Sequence, residues 1–484
     1  MKLKSIKIKN FRGIKELNDP VNLANFNIFI GDNGTAKTTI IEAINLCLQP
    51  SYAYNRLSIN DFYKGEDNEI ELTVEFDEVF TSKLPDGYGT QNVECNKITL
   101  LAKKRERSTP GKAFSDLVSV QHFVVPVADR GAEGWSQSRK TSENPFKFTE
   151  RQLSFPNVDV DLPRVFYFSK NRNKQLIKGY NSSFSNIIDD LNWHFDKTQR
   201  AKSDDEHFKH DRKKLHEKVI ADTDGDTLNK TIEATNKILD ELEIEHVDLS
   251  ILKTLTPYDH SEIVYPFDGF ELPVDLCGSG IEMGIALALL ESMAKISREE
   301  IVLIIDEPEL HLHPKLQQNL FNHFKDVAQT IQIIVSTHSP ILFQNVYQHN
   351  DIQLLITTKE NNEIIVDDAR SAGFGLLNWS PSWGEICYFA YNVSTIEFHN
   401  DLYAALQDRE NKEHVSEIED WFTNTKNFPK SIRWNDPVKG QMQETLMTYI
   451  RNRIHHADNQ GRPMYTPQQL KQSIENMINL LKNP

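Results

Sequence analysis

Residues 31–39 read Gly-Asp-Asn-Gly-Thr-Ala-Lys-Thr-Thr, directly after the apolar run Phe26-Asn-Ile-Phe-Ile30. Ile40, Ile41, Ala43, Ile44 and Leu48 follow at helical spacing. A strand that passes through a glycine-containing turn into a helix N-terminus aims several backbone N–H groups at one point, a cradle for phosphate. The segment fits the pattern GxxxxGK[ST] with one departure, Ala36 in place of the second glycine. Asn33, Gly34, Thr35, Ala36 and Thr39 would line the cradle, Lys37 would reach the outer phosphates, and Thr38 would offer its hydroxyl to Mg²⁺. Alanine is the smallest replacement for glycine and suits the cradle if its φ is below zero. Read alone, the segment has a blander alternative, a tight strand-to-helix turn with an exposed lysine.

Ile301-Val-Leu-Ile-Ile-Asp-Glu307 supplies the complementary chemistry. Its unbroken apolar run predicts a strand buried on both faces, ending in two carboxylates. Asp306 would hold the Mg²⁺ shell and Glu307 would polarise the attacking water. Without the phosphate loop these acids would simply be solvated.

Two further segments narrow the type. Gly278-Ser-Gly-Ile-Glu282 opens a predicted helix and resembles the Leu-Ser-Gly-Gly-Glu signature loop of ABC-type ATPases. Ser279, Gly280 and Glu282 match it, whereas Gly278 and Ile281 depart. Val335-Ser-Thr-His-Ser-Pro340 follows a predicted strand, and His338 there resembles the switch histidine that contacts the γ-phosphate. A histidine at a strand end can also be purely structural. The ordered series is similar to the heads of SMC, RecF and OLD proteins. It most resembles bacterial single-chain ATPases reading Phe-Arg-Gly-Ile (residues 11–14), DEPExHLHP (306–314) and STHSP (336–340). The resemblance covers residues 1–100 and 265–370. No Q-loop glutamine is evident; Asn60-Asp-Phe62 occupies its place.

The resemblance implies an α/β fold, an ABC/RecF-like P-loop head with a helical insertion and a mostly helical C-terminal domain. It implies ATP and Mg²⁺ as cofactors and a homodimer or higher homo-oligomer in which two heads sandwich ATP, the Ser279 loop of one completing the site of the other. Arg172 could contact nucleotide or the neighbouring head, or be a surface arginine. Relatives of this kind in the Septu, PARIS and retron anti-phage systems pair with a separately encoded effector nuclease or toxin. Hence the expected function is an ATP-hydrolysing switch or scaffold that controls such a partner. The alternatives are a self-contained ribonuclease effector and a RecF-like repair ATPase that binds DNA.

Beyond Pro340 the sequence shows neither the glutamate and Asp-x-Asp spacing nor the strand pattern of the TOPRIM nuclease carried by OLD proteins, so any DNA cleavage is expected of a separate partner. Met442, Leu446, Ile450 and Ile454 recur every four residues, and a helix over them would end near Arg451-Asn-Arg-Ile-His-His456. Arg451 and His456 resemble the R-x4-H motif of HEPN ribonucleases, in which histidine handles the 2′-OH proton and arginine stabilises the phosphorane charge. An ordinary helix end, with cations meeting the negative dipole, explains the same residues. Thr466-Pro467 signals a second helix as N-cap and N1.

These groups need elements to position them. Residues 2–14 suggest a half-buried edge hairpin, 25–30 a strand, 39–48 a helix, and 69–76 and 97–102 further strands. Polar residues 105–163 read as loops. Residues 170–245 read as a compact charged helical insertion, too short for long coiled-coil arms since a 35-residue helix reaches only about 50 Å. An α/β pattern returns with a helix at 281–296, strands at 301–305 and 331–335 flanking a helix at 315–324, and strands at 353–357 and 363–366. A helical tail follows, broken near 434–440. Four parts result: N-terminal ATPase lobe 1–104, insertion 105–264, C-terminal ATPase lobe 265–370 and helical domain 371–484.

Composition sets outer limits. The 484 residues include 54 basic and 70 acidic side chains, a net charge of −16. That excludes a protein that coats nucleic acid nonspecifically, but allows DNA or RNA at one local site. Lys103, Lys104, Arg105 and Arg107 could touch phosphate but read as a solvated loop face. His311 and His313, beside Glu309, read as part of a dimer-seam loop. Cys47, Cys95, Cys277 and Cys387 have no CxxC partner and predict buried thiols of a reducing cytosol. No apolar run approaches the roughly 20 residues that cross a bilayer, and the N-terminus lacks the apolar core of a signal peptide. The expectation is a cytoplasmic protein.

Overall fold

The computed structural model describes residues 1–17, 19–83, 92–105, 118–127, 162–169, 300–310, 312–339, 342, 349–371, 374–436, 440–456 and 463–483, with scattered positions between 192 and 288. The chain forms two compact units, Met1–Asn171 with Glu291–Pro484, and Arg172–Leu290.

The first unit begins with β1 (Leu3–Phe11), β2 (Ile14–Glu16), β3 (Val21–Asn22) and β4 (Phe26–Gly31). Helices α1 (Lys37–Leu48) and α2 (Pro50–Arg56) follow, then strands β5 (Ile70–Lys83), β6 (Asn92–Lys104) and β7 (Val118–Pro126). An antiparallel sheet runs β2-β1-β5-β6-β7, with β3 also on β1. The hairpin expected over residues 2–14 therefore lies at the sheet edge, with β2 outermost and β1 one place in. β1 has partners on both sides, β2 and β3 on one and β5 on the other. β7 lies within the stretch read as loops; ladder bonds to β6, not a clean local alternation, make it a strand.

Strand β8 (Arg164–Phe168) joins a second sheet. In the other unit, β9 (Val264–Phe267) and β10 (Phe270–Pro273) pair as an antiparallel hairpin. The first unit resumes with β11 (Ile301–Asp306), α3 (Pro314–Val327), β12 (Gln332–Ser336), β13 (Gln353–Glu360) and β14 (Glu363–Asp368). Its second sheet has the order β14-β13-β4-β12-β11-β8 and is parallel except at β14. Every residue of β4, β11 and β12 is buried, as expected for parallel strands covered on both faces.

Helix α1 lies between the sheets. The Cys47 thiol donates to the carbonyls of Leu72 and Ile98 on the antiparallel side, while Thr38 reaches Asp306 on the parallel side. Gln332 ties the layers: its side-chain oxygen accepts the Leu3 N–H at 2.7 Å, and its amide donates to the Leu3 and Ala24 carbonyls, both at 2.8 Å.

The C-terminal region builds its own core from α4 (Trp383–Tyr391), α5 (Ile396–Arg409), α6 (Val415–Asp420), a hairpin β15 (Ile432–Asp436) and β16 (Gly440–Glu444), α7 (Leu446–His455) and α8 (Pro467–Lys482). The expected break near 434–440 is this hairpin. Trp434 is buried and its ring centroid lies 5.6 Å from that of Tyr449. Met442 belongs to β16, so the helical period starts only at Leu446. Thr466 caps α8 as its sequence signals, within a capping box completed by Gln469.

Candidate nucleotide site

The phosphate loop hangs between β4 and α1. At its start Gly31 has φ +150°, and a Cβ there would lie 2.2 Å from the Thr357 carbonyl oxygen. Only glycine lets β4 pass that close to β13. Thr357 braces the loop further: its hydroxyl donates to the Ile30 carbonyl at 3.1 Å and shares a 2.7 Å hydrogen bond with the Thr35 hydroxyl. Thr35 also donates to the Asp32 carbonyl at 2.8 Å. Gly34 has φ +79°. Ala36 has φ +70°, the left-handed region, so the negative φ expected for alanine is not adopted. The loop keeps a glycine backbone shape while carrying a Cβ. Helix α1 accordingly has no side-chain N-cap, which leaves its first-turn donors to a ligand.

Lys37 points back along the loop, with Nζ donating to the carbonyls of Gly31 at 2.8 Å and Asp32 at 2.9 Å. Burial lowers this ammonium to about 8, while Glu307, Asp306 and Asp32 favour its charge. Thr39 follows Thr38 in the first turn, and Asn33 N–H bonds the Asp32 side chain at 2.6 Å.

Asp306 ends β11 fully buried, and one of its oxygens, Oδ1, accepts from both the Thr38 hydroxyl at 3.2 Å and the Ser336 hydroxyl. Glu307 leaves the strand with φ +52°, its N–H donating to the Ser336 carbonyl at 3.0 Å and to Ser336 Oγ at 3.2 Å. The left-handed turn swings its carboxylate toward His338, whose Nε2 lies 3.9 Å from Glu307 Oε1. Burial and then the Lys37 charge lower the His338 pKa, keeping the imidazole neutral near pH 7. The carboxylate of Glu309 accepts the His338 backbone N–H at 2.6 Å. One carboxylate and two hydroxyls form an all-oxygen set of the kind Mg²⁺ takes together with phosphate oxygens. The residues present fit that ion.

Lys37, Thr38, Asp306, Glu307 and His338 thus converge from three strand ends, those of β4, β11 and β12. Ser279, Gly280, Glu282 and Arg172 lie outside the described residues, as do His311, Arg107 and Cys277. Gly278 and Ile281 are described, the Ile281 N–H donating to the Gly278 carbonyl at 2.9 Å. His313 is the N-cap of α3, its Nδ1 accepting the Lys315 N–H at 3.3 Å.

In the Q-loop slot, Asp61 binds Arg12. Arg12 Nε donates to Asp61 Oδ1 at 2.8 Å and Nη1 to Glu42 Oε2 at 2.5 Å, while Arg56 bridges Glu42 at 3.2 Å. Those partners raise the Arg12 pKa against its burial. Glu42 stands one turn after Thr38, so the network fixes the phase of α1. Lys103 pairs with Glu69, Lys104 with Asp67, and Arg105 donates to Ser119, consistent with a solvated, internally paired face.

In the C-terminal region, Arg451 donates to Asn452 at 3.2 Å, and Asn452 to Glu444 at 3.0 Å. His456 is the exposed C-cap of α7 with φ −126°. One helical turn separates Arg451 from His455, whose pKa is lowered by burial and then by Arg451 and His456.

Sequence reasoning missed Thr357, Ser336 and Glu309 as supports of the site. The last two lay within recognised motifs; Thr357 carried no signal.

Comparison with known proteins places the chain in a family. Residues 1–343 match the family described as AAA ATPase domain. An OLD nuclease of Thermus scotoductus is 24% identical over 424 residues, covering 84% of this chain and 73% of that protein. A probable ATPase of retron Vc95 from Vibrio cholerae is 24% identical over 401 residues, 72% of each chain. The Septu protein PtuA of Bacillus thuringiensis is 31% identical over 86 residues, 18% of this chain and 21% of that protein. A solved Smc head domain derived from Pyrococcus furiosus superposes with a TM-score of 0.40 at 14% identity, over 76% of this chain and 96% of that one, too loosely to argue from. Among the described residues no helix is long and apolar enough to cross a membrane.

Proposed function

The chain belongs to the AAA ATPase domain family, and we propose that this ATPase is a nucleotide-driven switch that holds and releases a separately encoded effector nuclease or toxin in anti-phage defence. The observation that carries the catalytic part is the convergence of Thr38 and Ser336 on Asp306 with Glu307 and His338 beside it. Thr38 and Asp306 would hold Mg²⁺, which neutralises charge on the phosphate oxygens when bound. Glu307 orients the attacking water and accepts its proton, while Lys37 and His338 meet the outer phosphate. Asn33, Gly34, Thr35, Ala36 and Thr39 line the cradle. Ser279, Gly280 and Glu282 of a second copy would close the site, so two heads engage only around nucleotide. Relatives named as a retron ATPase and a Septu protein support the defence reading.

Glu307→Gln tests it. The variant should bind ATP like the parent but hydrolyse it about 10²–10³-fold more slowly, and should persist with ATP as a head dimer on size-exclusion chromatography. Hydrolysis at the parental rate would overturn the assignment. Loss of turnover without any ATP-dependent change in assembly would overturn the switch.

A further inference from the structure

We infer that Glu309 is a positioning residue for hydrolysis, holding the turn that carries His338; this rests on the assignment of His338 above. The turn after β12 has little bonding of its own beyond the Ser339 N–H to Thr337 Oγ1, at 2.9 Å. Neighbouring elements fix it: the Thr337 N–H donates to the Phe29 carbonyl of β4 at 3.0 Å, the Tyr391 hydroxyl donates to the Thr337 carbonyl at 3.4 Å, and the other bonds come from β11, the segment after it and α3. Ser336 is bound to Asp306 and to the Glu307 N–H, and Ser339 Oγ donates to the Gln317 side chain at 2.6 Å. The central contact is the 2.6 Å hydrogen bond from the His338 N–H to the Glu309 carboxylate, the only one of these made to the histidine's own backbone. Charge-assisted and short, it is the strongest kind of bond a backbone donor makes.

Glu309 has no route to the reacting atoms through this contact. It acts on the backbone of the residue whose imidazole stands 3.9 Å from Glu307. Burial disfavours the Glu309 carboxylate, and hydrogen bonds from His338 and Thr337 oppose that effect. A buried acceptor aimed at the His338 N–H of the switch turn is placed for geometry.

The test is steady-state ATP hydrolysis with binding of a fluorescent ATP analogue, for the parent and for Glu309→Gln, Glu309→Met and His338→Ala in the full chain. Glu309→Met fills the volume without an acceptor and should lower kcat roughly 10–100-fold, with KM and analogue Kd within about threefold, because an ångström of misplacement is felt mainly in the transition state. Glu309→Gln keeps an acceptor oxygen and should retain most of kcat. Equal losses in the Gln and Met variants, or no loss in either, overturn the inference. So does a loss of analogue binding that tracks a fall in melting temperature. If His338→Ala itself leaves kcat unchanged, the assignment of the histidine has failed instead.

Discussion

The ammonium of Lys37 donates to the carbonyl oxygen of Gly31 at 2.8 Å, inside the very loop whose N–H groups would receive phosphate. Burial brings its pKa down to about 8. The free enzyme should therefore lose this cation as pH rises through about 8, and kcat/KM for ATP should fall with it. Bound phosphate favours the charge, so the limb in kcat should lie higher. A kcat/KM that stays level to about pH 10, where an ordinary lysine begins to titrate, would contradict this. The stability sign is opposite. The folded value lies below the ordinary 10.5, so the unfolded chain binds more protons between the two and this group's contribution to stability rises with pH across that window.

Ala36→Gly should stabilise the protein. The left-handed φ of +70° costs an alanine about 1–2 kcal/mol, and the added freedom of glycine in the unfolded chain returns about 0.4–1 kcal/mol of that. A net gain of about 0.5–1 kcal/mol is expected, read as a higher urea midpoint at unchanged m-value. An unchanged or lower midpoint would show that the alanine methyl is compensated elsewhere.

Removing Arg12 should be expensive in stability. Glu42 and Asp61 are both almost fully buried around it, and breaking a buried ion pair typically costs about 3–5 kcal/mol. Arg12→Ala should sit near the lower end because Arg56 still reaches Glu42. Chemical denaturation of Arg12→Ala, of Glu42→Gln and of the two combined checks it: the double variant should lose less than the sum of the singles, and strict additivity would rule the coupling out.

Gly384 marks a tight helix crossing in the C-terminal region. A Cβ there would lie 2.5 Å from the Phe398 Cα, a backbone atom that cannot rotate away. Gly384→Ala should force α4 off α5 and destabilise by about 1–3 kcal/mol, seen as loss of protection from hydrogen exchange in both helices. Unaltered protection would mean that the helices part at no cost.

Much of this was legible in the sequence because the motifs sit where local pattern is strong. The unbroken apolar runs of β4 and β11 announce buried parallel strands, and Thr466-Pro467 announces the start of α8. What escaped depends on distant chain. Thr357 is one threonine among several in β13, and it becomes the brace of the phosphate loop only because β13 lies beside β4, a pairing that spans 322 residues at the Thr35 hydroxyl. Residue type could not tell that Ala36 adopts positive φ, since the loop imposes it. Trp434 was hidden by the Asn-Asp-Pro that follows, which reads equally as a linker or a hairpin end.

Gln332 clasps Leu3 across 329 positions, and β4 takes both its sheet partners from beyond residue 331. During synthesis, the phosphate loop therefore leaves the ribosome long before anything exists to brace it. Contacts this remote in sequence close late. A nascent or prematurely ended chain carries the lysine but no assembled site. Competence to hydrolyse ATP thus waits until β12 and β13 have emerged beside β4.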